Sequence, residues 1–539
     1  MISLKSFTAN PKKQGLLVLI TAVLFFSWLQ ASPALADPDS FYHLKLALLI
    51  EEKGVIQNFP WLQATVLKDN FVDHHFLYHV LLIPFVTIFN PVVGGKISQV
   101  IFASLAVWLI YWLLQKYCLK GAFFYPFLLF SSTILVSRLS LVKAPALSLA
   151  ILILALYLVM NKKSSWLFFL SFFYVWTYGG WPMILVLTVL TIAGEGFFLL
   201  SDKIGSCRTR AKIIRESITA LVKNFLRKEN LKLLSAVFAG AAAGLIINPY
   251  FPKNLSFHWI QAVKIGLGNL QYIIDVGSEW YPLNPAQLFW GMALVLFLWL
   301  FSLVWFFIKI KSQPRESFGL LLFSFFLFLI MVKSQRYGEY FIPFALISTA
   351  FSLNSFWQEA DWQKLVERLK TLSLPPITNL VIFIGYWILL ALIAVGLLVS
   401  DSLFSVKTWL SGPTRVSYLE KSASYLKNNT PQGSVVFNGS WDDFPMLFYY
   451  NDHNYYLNGL DQTFMYLKDP VLYSLWVKIT NGEIDGKILP VIMKEDLGTD
   501  YVLVPKEKHF TKMSENIKKN NLFVNIYEDE EAAVYKIGL

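Results

Sequence analysis

Asp37 and Asp39 stand in the segment ADPDSFYHLK (36–45), directly after about twenty apolar residues. Carboxylates at that point are either a solvated cap where a membrane helix meets water or one half of an active site. A second group, Asp73-His74-His75, carries metal-capable atoms just before another apolar run, where a polar cluster ahead of an interfacial helix is the plainer reading. Glu279 and Arg336, an acid and a cation, are two further charged residues in the segments that hold most of the chain's unusual polar residues. Whether these residues meet depends on which side of a membrane each one faces.

The composition decides the solvent. Hydrophobic residues make up 56% of the 539, aromatic residues 17% and charged residues only 15%, with a mean hydropathy of +0.52. Such a chain is a polytopic membrane protein rather than a soluble domain. Its formal charge of +11 needs no nucleic-acid partner, because cytoplasmic loops of membrane proteins concentrate Lys and Arg. Cys118 and Cys207 are too few for a disulfide framework or a thiolate metal site and are assigned no role.

A span needs about 20 apolar residues, and candidates lie near 14–36, 97–117, 121–137, 143–160, 165–178, 181–200, 233–248, 286–309, 317–334, 338–355 and 376–400. This makes about eleven transmembrane helices. The first imitates a signal peptide ending in ALA before Asp37, but it is read as uncleaved, since cleavage would strip the carboxylates of their anchor. The basic 202–232 loop is assigned to the cytoplasm. Counting from it puts the N-terminus, Lys116, Lys162, Lys309 and Lys364 inside, provided that the run at 76–90 lies in the interface.

Every remaining loop then falls outside: 37–96, the turn from Arg138 to Lys143, the break at Tyr178-Gly179-Gly180, the 249–285 loop, the turn at Arg336, and everything after about 401. Asp37, Asp39, Asp73, His74, His75, Glu279 and Arg336 thus gather on one outer face, the pattern of a site at a membrane surface. Tyr178-Gly179-Gly180 itself is read as a packing break. From about residue 415 the apolar runs shorten to strand length, as in GSVVF (433–437) and YVLVP (501–505), which predicts a small α/β domain outside the cytoplasm. The division is 1–400 for the transmembrane part, with outer loops 37–96 and 249–285, and 401–539 for the extracytoplasmic domain.

Five stretches resemble one family in that family's own order. VWTYGGWPMILVL (175–187), DSFYHLK (39–45), GSEWYPL (277–283), SQRYGEYFIPFAL (334–346) and GSWDDFP (439–445) are similar to segments of oligosaccharyltransferase catalytic subunits, membrane glycosyltransferases of the GT-C fold. The resemblance implies a divergent relative that moves a sugar or oligosaccharide from a polyprenyl-(di)phosphate donor to an acceptor outside the cytoplasm, protein first. A single-sugar transferase acting on a lipid or cell-wall glycan is the alternative. A non-catalytic partner in glycolipid transport or polymerisation is the third reading. Implied partners are the lipid-linked donor, a protein or glycan acceptor and the bilayer, with no nucleic acid; the expected location is the plasma membrane, with multiple spans, the N-terminus inside and the C-terminal domain outside.

The resemblance also implies roles. Asp39 and Glu279 would act catalytically, holding the acceptor directly or through a divalent cation such as Mg or Mn, which prefers oxygen ligands. Arg336 would bind the donor phosphate, and Trp441 and Asp442 the acceptor. His74 and His75 are further candidate metal ligands. Where the family has a second acidic motif this chain reads SRLSLVKAPALS (137–148), with Lys143 and no carboxylate, and SWDDFP keeps Trp441 and Asp442 without the family's other motif residues.

Overall fold

Without water to satisfy backbone N–H and C=O groups, an apolar chain in a bilayer closes its hydrogen bonds within helices. The computed structural model describes residues 10–204, 210–266, 268, 270, 273–359, 403–412 and 415–538. The expected helix at 376–400 and Lys364 lie outside the described residues. The helices of the apolar part are α1 (Pro11–Gln30), α2 (Asp39–Lys53), α3 (Phe76–Ile88), α4 (Pro91–Lys116), α5 (Thr133–Leu139), α6 (Pro145–Met160), α7 (Ser164–Thr177), α8 (Pro182–Ile204), α9 (Arg210–Phe225), α10 (Lys228–Ile246), α11 (Ala293–Ile308), α12 (Glu316–Lys333) and α13 (Gly338–Glu359), joined by shorter turns.

Among the described residues four helices, α1, α4, α10 and α12, are long and apolar enough to cross a membrane, and α3, α6, α11 and the Pro182–Phe198 part of α8 are shorter apolar helices. This is a multi-pass membrane fold, but the count of about eleven full spans is not what the described helices show. The expected span at 121–137 is broken into Tyr125–Leu128, a tight turn at Leu129–Ser131, and α5. The cause is Ser132, whose extended backbone interrupts the helix while its side chain caps α5 by accepting from Leu135 N–H. Hydropathy registers the apolar run and misses the cap.

Lipid tails give helices no hydrophobic reason to associate, so close packing of small residues does the work. A Cβ added at Gly240 of α10 would lie 2.2 Å from the Phe168 carbonyl oxygen of α7, and one at Gly244 would lie 2.7 Å from that of Phe172. Gly194 of α8 meets Gly319 of α12 backbone to backbone. The Gly194 contact holds the bundle at the end remote from Asp39, where Lys162 pairs with Glu195 at 2.5 Å and also donates to Asn230. From Pro145 beside the carboxylates to Met160 beside Lys162, α6 spans about 24 Å.

The C-terminal part forms a five-stranded sheet, β1 (Val435–Asn438), β2 (Tyr455–Tyr456), β3 (Tyr501–Pro505), β4 (Phe523–Glu528) and β5 (Ala532–Ile537), in the order β2-β1-β3-β5-β4. β1 runs parallel to β2 and β3, and β5 is antiparallel to β3 and β4. The loop after α2 continues the sheet beyond β2: Tyr456 N–H donates to the Trp61 carbonyl at 2.8 Å, and Gln63 N–H to that of Tyr456 at 2.8 Å. Tyr42 and Leu46 of α2, Phe59 and Trp61 of the loop, and Phe444, Phe448 and Tyr456 beyond share one buried core. Lys45 adds an ion pair to Asp452 at 3.0 Å. The start of α2, which carries Asp39, is therefore clamped from both sides.

The backbone contact of Gly194 with Gly319 yields a direct expectation. A Cβ at Gly194 would lie 2.2 Å from Gly319 N, so Gly194→Val must push α8 off α12, at a cost of about 1–3 kcal/mol. Thermal melting in detergent should show a clear drop; an unchanged melting temperature would mean that these helices do not pack as closely as described.

Candidate active site

A cavity of about 1000 Å³ lies where the loops after α2 and around Glu279, the helix ends and the C-terminal part meet. It is lined by Asp37, Asp39, His74, His75, Glu279 and Arg336 among others, and Trp441 and Asp442 face it from the sheet side. Trp441 reaches across to the loop bearing Glu279, its ring 3.9 Å from a Cβ placed on Gly277.

Asp37 turns out to be both a cap and a charge partner. One of its oxygens accepts from Asp39 N–H at 2.8 Å, opening α2, while the other meets the Lys143 ammonium at 2.8 Å. Asp39 meets the same ammonium at 2.7 Å. Lys143 sits in the short link between α5 and α6, whose ends fix its backbone. Burial raises the Asp39 carboxyl, Lys143 opposes that rise, and Asp37 and Glu279 add to it, leaving it pushed up to about 6. The side chain remains 36% accessible from the cavity side, so it is open to a reactant.

Glu279 is held by two guanidinium groups. Arg138 Nη1 donates to its Oε2 at 2.5 Å and Arg336 Nη1 to its Oε1 at 3.0 Å. Burial by itself raises the Glu279 carboxyl, but Arg336, then Arg138 and Lys143, outweigh it and hold the group well below the usual carboxylate range. Arg138 also grips Glu339 at the start of α13, through Nε at 3.0 Å and Nη2 at 2.8 Å. Glu339 is fully buried; its other oxygen accepts from the Tyr178 hydroxyl at 3.1 Å. Tyr178 in turn accepts from Arg336 Nε and Nη2, and Trp280 stacks under the Arg336 plane at 4.8 Å. The Tyr178-Gly179-Gly180 break is thus more than packing, because its tyrosine belongs to the charge network.

Asp73, His74 and His75 divide their tasks. Asp73 is buried and accepts from His79, which itself bonds His43 at 2.7 Å, forming a chain that ends at the cavity wall. His74 and His75 stack with ring centroids 3.8 Å apart, and His75 lies on Tyr178 at 5.4 Å. Burial first, and then neighbouring cationic groups, lower both imidazoles well below their ordinary value. Asp442, which lines the cavity, is raised by removal of water first and then by Asp39 and Asp37.

These residues do not fit a divalent cation. Asp39 is occupied by an ammonium and Glu279 by two guanidiniums, and His74 and His75 are packed on aromatic rings rather than turned toward either carboxylate. Among the described residues no group of three or more His, Cys, Asp or Glu side chains is placed to hold a metal ion. Loop counting put Asp39, Glu279 and Arg336 on one face, and they do line one cavity, but it did not anticipate the pairings of Arg138, Lys143, Tyr178 and Glu339. The available signal was a charge at each end of two apolar stretches, Arg138 and Glu339, which the bilayer tolerates only in pairs.

No family model and no curated protein matches the chain in sequence. Solved structures do share its fold. The archaeal oligosaccharyltransferase AglB from Archaeoglobus fulgidus, in complex with an inhibitory peptide and a dolichol-phosphate, superposes with a TM-score of 0.60 at 14% identity over 92% of this chain and 69% of its own. ArnT from Cupriavidus metallidurans gives 0.52 at 12% identity over 96% and 97%. The arabinofuranosyltransferase AftD from Mycobacteria gives 0.52 at 11% over 97% and 40%. The chain has the GT-C fold of these membrane glycosyltransferases.

The state of Asp39 predicts a pH dependence. If its carboxylate takes a proton or orients a nucleophile, activity falls as pH drops through about 6, well above the ordinary carboxylate value near 3.9. For stability the sign is the reverse of an ordinary ion pair. A raised folded-state pKa contributes stability below the unfolded value, and that contribution is lost as pH rises through about 6. The melting temperature of Asp39→Asn relative to wild type should therefore improve between pH 4 and 7.5. A difference independent of pH, with no acid limb near 6, would show an unperturbed surface acid.

Proposed function

We propose that this chain is a membrane glycosyltransferase that moves a sugar or oligosaccharide from a polyprenyl-(di)phosphate-linked donor to an acceptor outside the cytoplasm. The supporting observation is a single cavity with an accessible carboxylate, Asp39, at one wall and a guanidinium, Arg336, at another. The acceptor's nucleophilic atom attacks the anomeric carbon, the bond from that carbon to the phosphate oxygen breaks, and its electron pair leaves with the polyprenyl (di)phosphate. Asp39 orients the acceptor and takes its proton. Arg336, kept flat by Trp280 and Tyr178, meets the growing phosphate charge with paired N–H groups, a task its fork suits. Glu279 holds Arg336 and Arg138 in place and faces the acceptor side. Trp441 and Asp442 contribute the acceptor wall.

A protein acceptor is the first reading, following the likeness to AglB. Transfer of one sugar to a lipid or glycan is the second, supported by the near-complete mutual coverage with ArnT and by the absence from SWDDFP of the other residues of the family motif it resembles.

Asp39→Asn and Glu279→Gln should each lower the release of polyprenyl (di)phosphate by about 100-fold or more, with the double variant little worse than the poorer single one, because parts of one unit are non-additive. Independent losses of a few fold would make both surface acids. Arg336→Ala should weaken binding of a non-reactive polyprenyl-phosphate analogue by about 1.5–3 kcal/mol, and Arg336→Lys by less. An alanine variant that melts normally and binds as tightly as wild type would remove Arg336 from the donor site.

A further inference from the structure

We infer that the Lys143 ammonium occupies the place of a divalent cation in this cavity, making the site a built-in, metal-free one. Three observations converge on it. Lys143 Nζ lies 2.8 Å from Asp37 and 2.7 Å from Asp39, so these two carboxylates of the cavity wall already share a cation. Its side chain is only 12% exposed, and its backbone is set by the short link between α5 and α6, which leaves little freedom to swing out. Glu279, the other acid proposed to act with Asp39, has one oxygen committed to each arginine. A divalent ion entering between Asp39 and Glu279 would have to displace an ammonium and then sit against two guanidiniums, whose like charges repel it.

An ammonium does part of what a metal would. It fixes the Asp39 carboxylate and offsets its charge, and of its three N–H donors two go to carboxylates. The third is left to orient an acceptor oxygen beside Asp39. Unlike a metal it cannot be chelated away. The inference deepens the transferase reading, on which only its activity arm rests; metal binding stands or falls without any turnover.

The test is titration of the purified, full-length protein with Mn²⁺, followed by electron paramagnetic resonance, alongside a chelator series on activity. Wild type should bind no Mn²⁺ at millimolar concentration in a way that depends on Asp39, and turnover should be unchanged by EDTA. Lys143→Ala frees the two aspartates, so it should lose at least tenfold in turnover and gain Mn²⁺ binding that disappears in Lys143→Ala/Asp39→Asn. Wild-type Mn²⁺ binding that is abolished by Asp39→Asn or Glu279→Gln would overturn the inference, with no variant of Lys143 needed. Loss of wild-type turnover in EDTA, restored by Mn²⁺, would overturn it too. Absence of turnover with every donor, while wild type still binds no Mn²⁺, would count against the transferase reading and leave the Lys143 assignment standing.

Discussion

Arg138 ties together three pieces of chain that are far apart in sequence: the end of α5, the loop that carries Glu279, and the first turn of α13 with Glu339. Glu339 has no access to solvent, and a buried carboxylate is tolerable only when paired and hydrogen-bonded. Arg138 and the Tyr178 hydroxyl meet that demand, and in doing so they fix where Glu279 and Arg336 stand. The cavity's cationic wall exists because this one buried acid must be neutralised.

The opposite wall follows from a second, independent constraint. Asp37 caps α2 and shares Lys143 with Asp39, while α2 itself is wedged between the loop that follows it and α15 (Phe444–Tyr450), which follows α14 (Glu420–Asn429) in the C-terminal part. The shared aromatic core of Tyr42, Phe59 and Phe448 keeps the start of α2 at a constant distance from the sheet. One ion cluster is thus anchored by helix ends and the other by the C-terminal layer, with the space between them open. Two charge-balanced walls facing one cavity suit a reaction in which an acceptor and a departing phosphate must be handled separately.

Much of this was legible in the sequence. Counting basic loops gathered Asp37, Asp39, Glu279 and Arg336 on one face because positive charges mark sidedness through the bilayer, a global constraint that needs no tertiary detail. The ordered motifs implied the GT-C fold that the solved structures share. What stayed hidden depends on three-dimensional pairing. That Arg138 would reach Glu339 across 201 positions, or that Tyr178 would serve two charged groups, cannot be read from local pattern. The break at 121–137 was missed for the opposite reason: hydropathy averages over a window, whereas a single serine cap ends a helix. Lys143 read as the loss of an acidic motif, and only its ion pairs show a cation standing between the two aspartates.

The function proposed for this cavity turns on its joining a lipid-linked sugar to an acceptor. Its most direct test is mass spectrometry of the reaction of purified protein with polyprenyl-phosphate-linked and polyprenyl-diphosphate-linked sugars and a panel of peptide, lipid and glycan acceptors. The account predicts an acceptor heavier by the mass of the donated glycan and an equal amount of freed polyprenyl (di)phosphate, both absent with Asp39→Asn. Intact donors and unmodified acceptors across the panel, from protein that binds the donor and melts as folded, would contradict it.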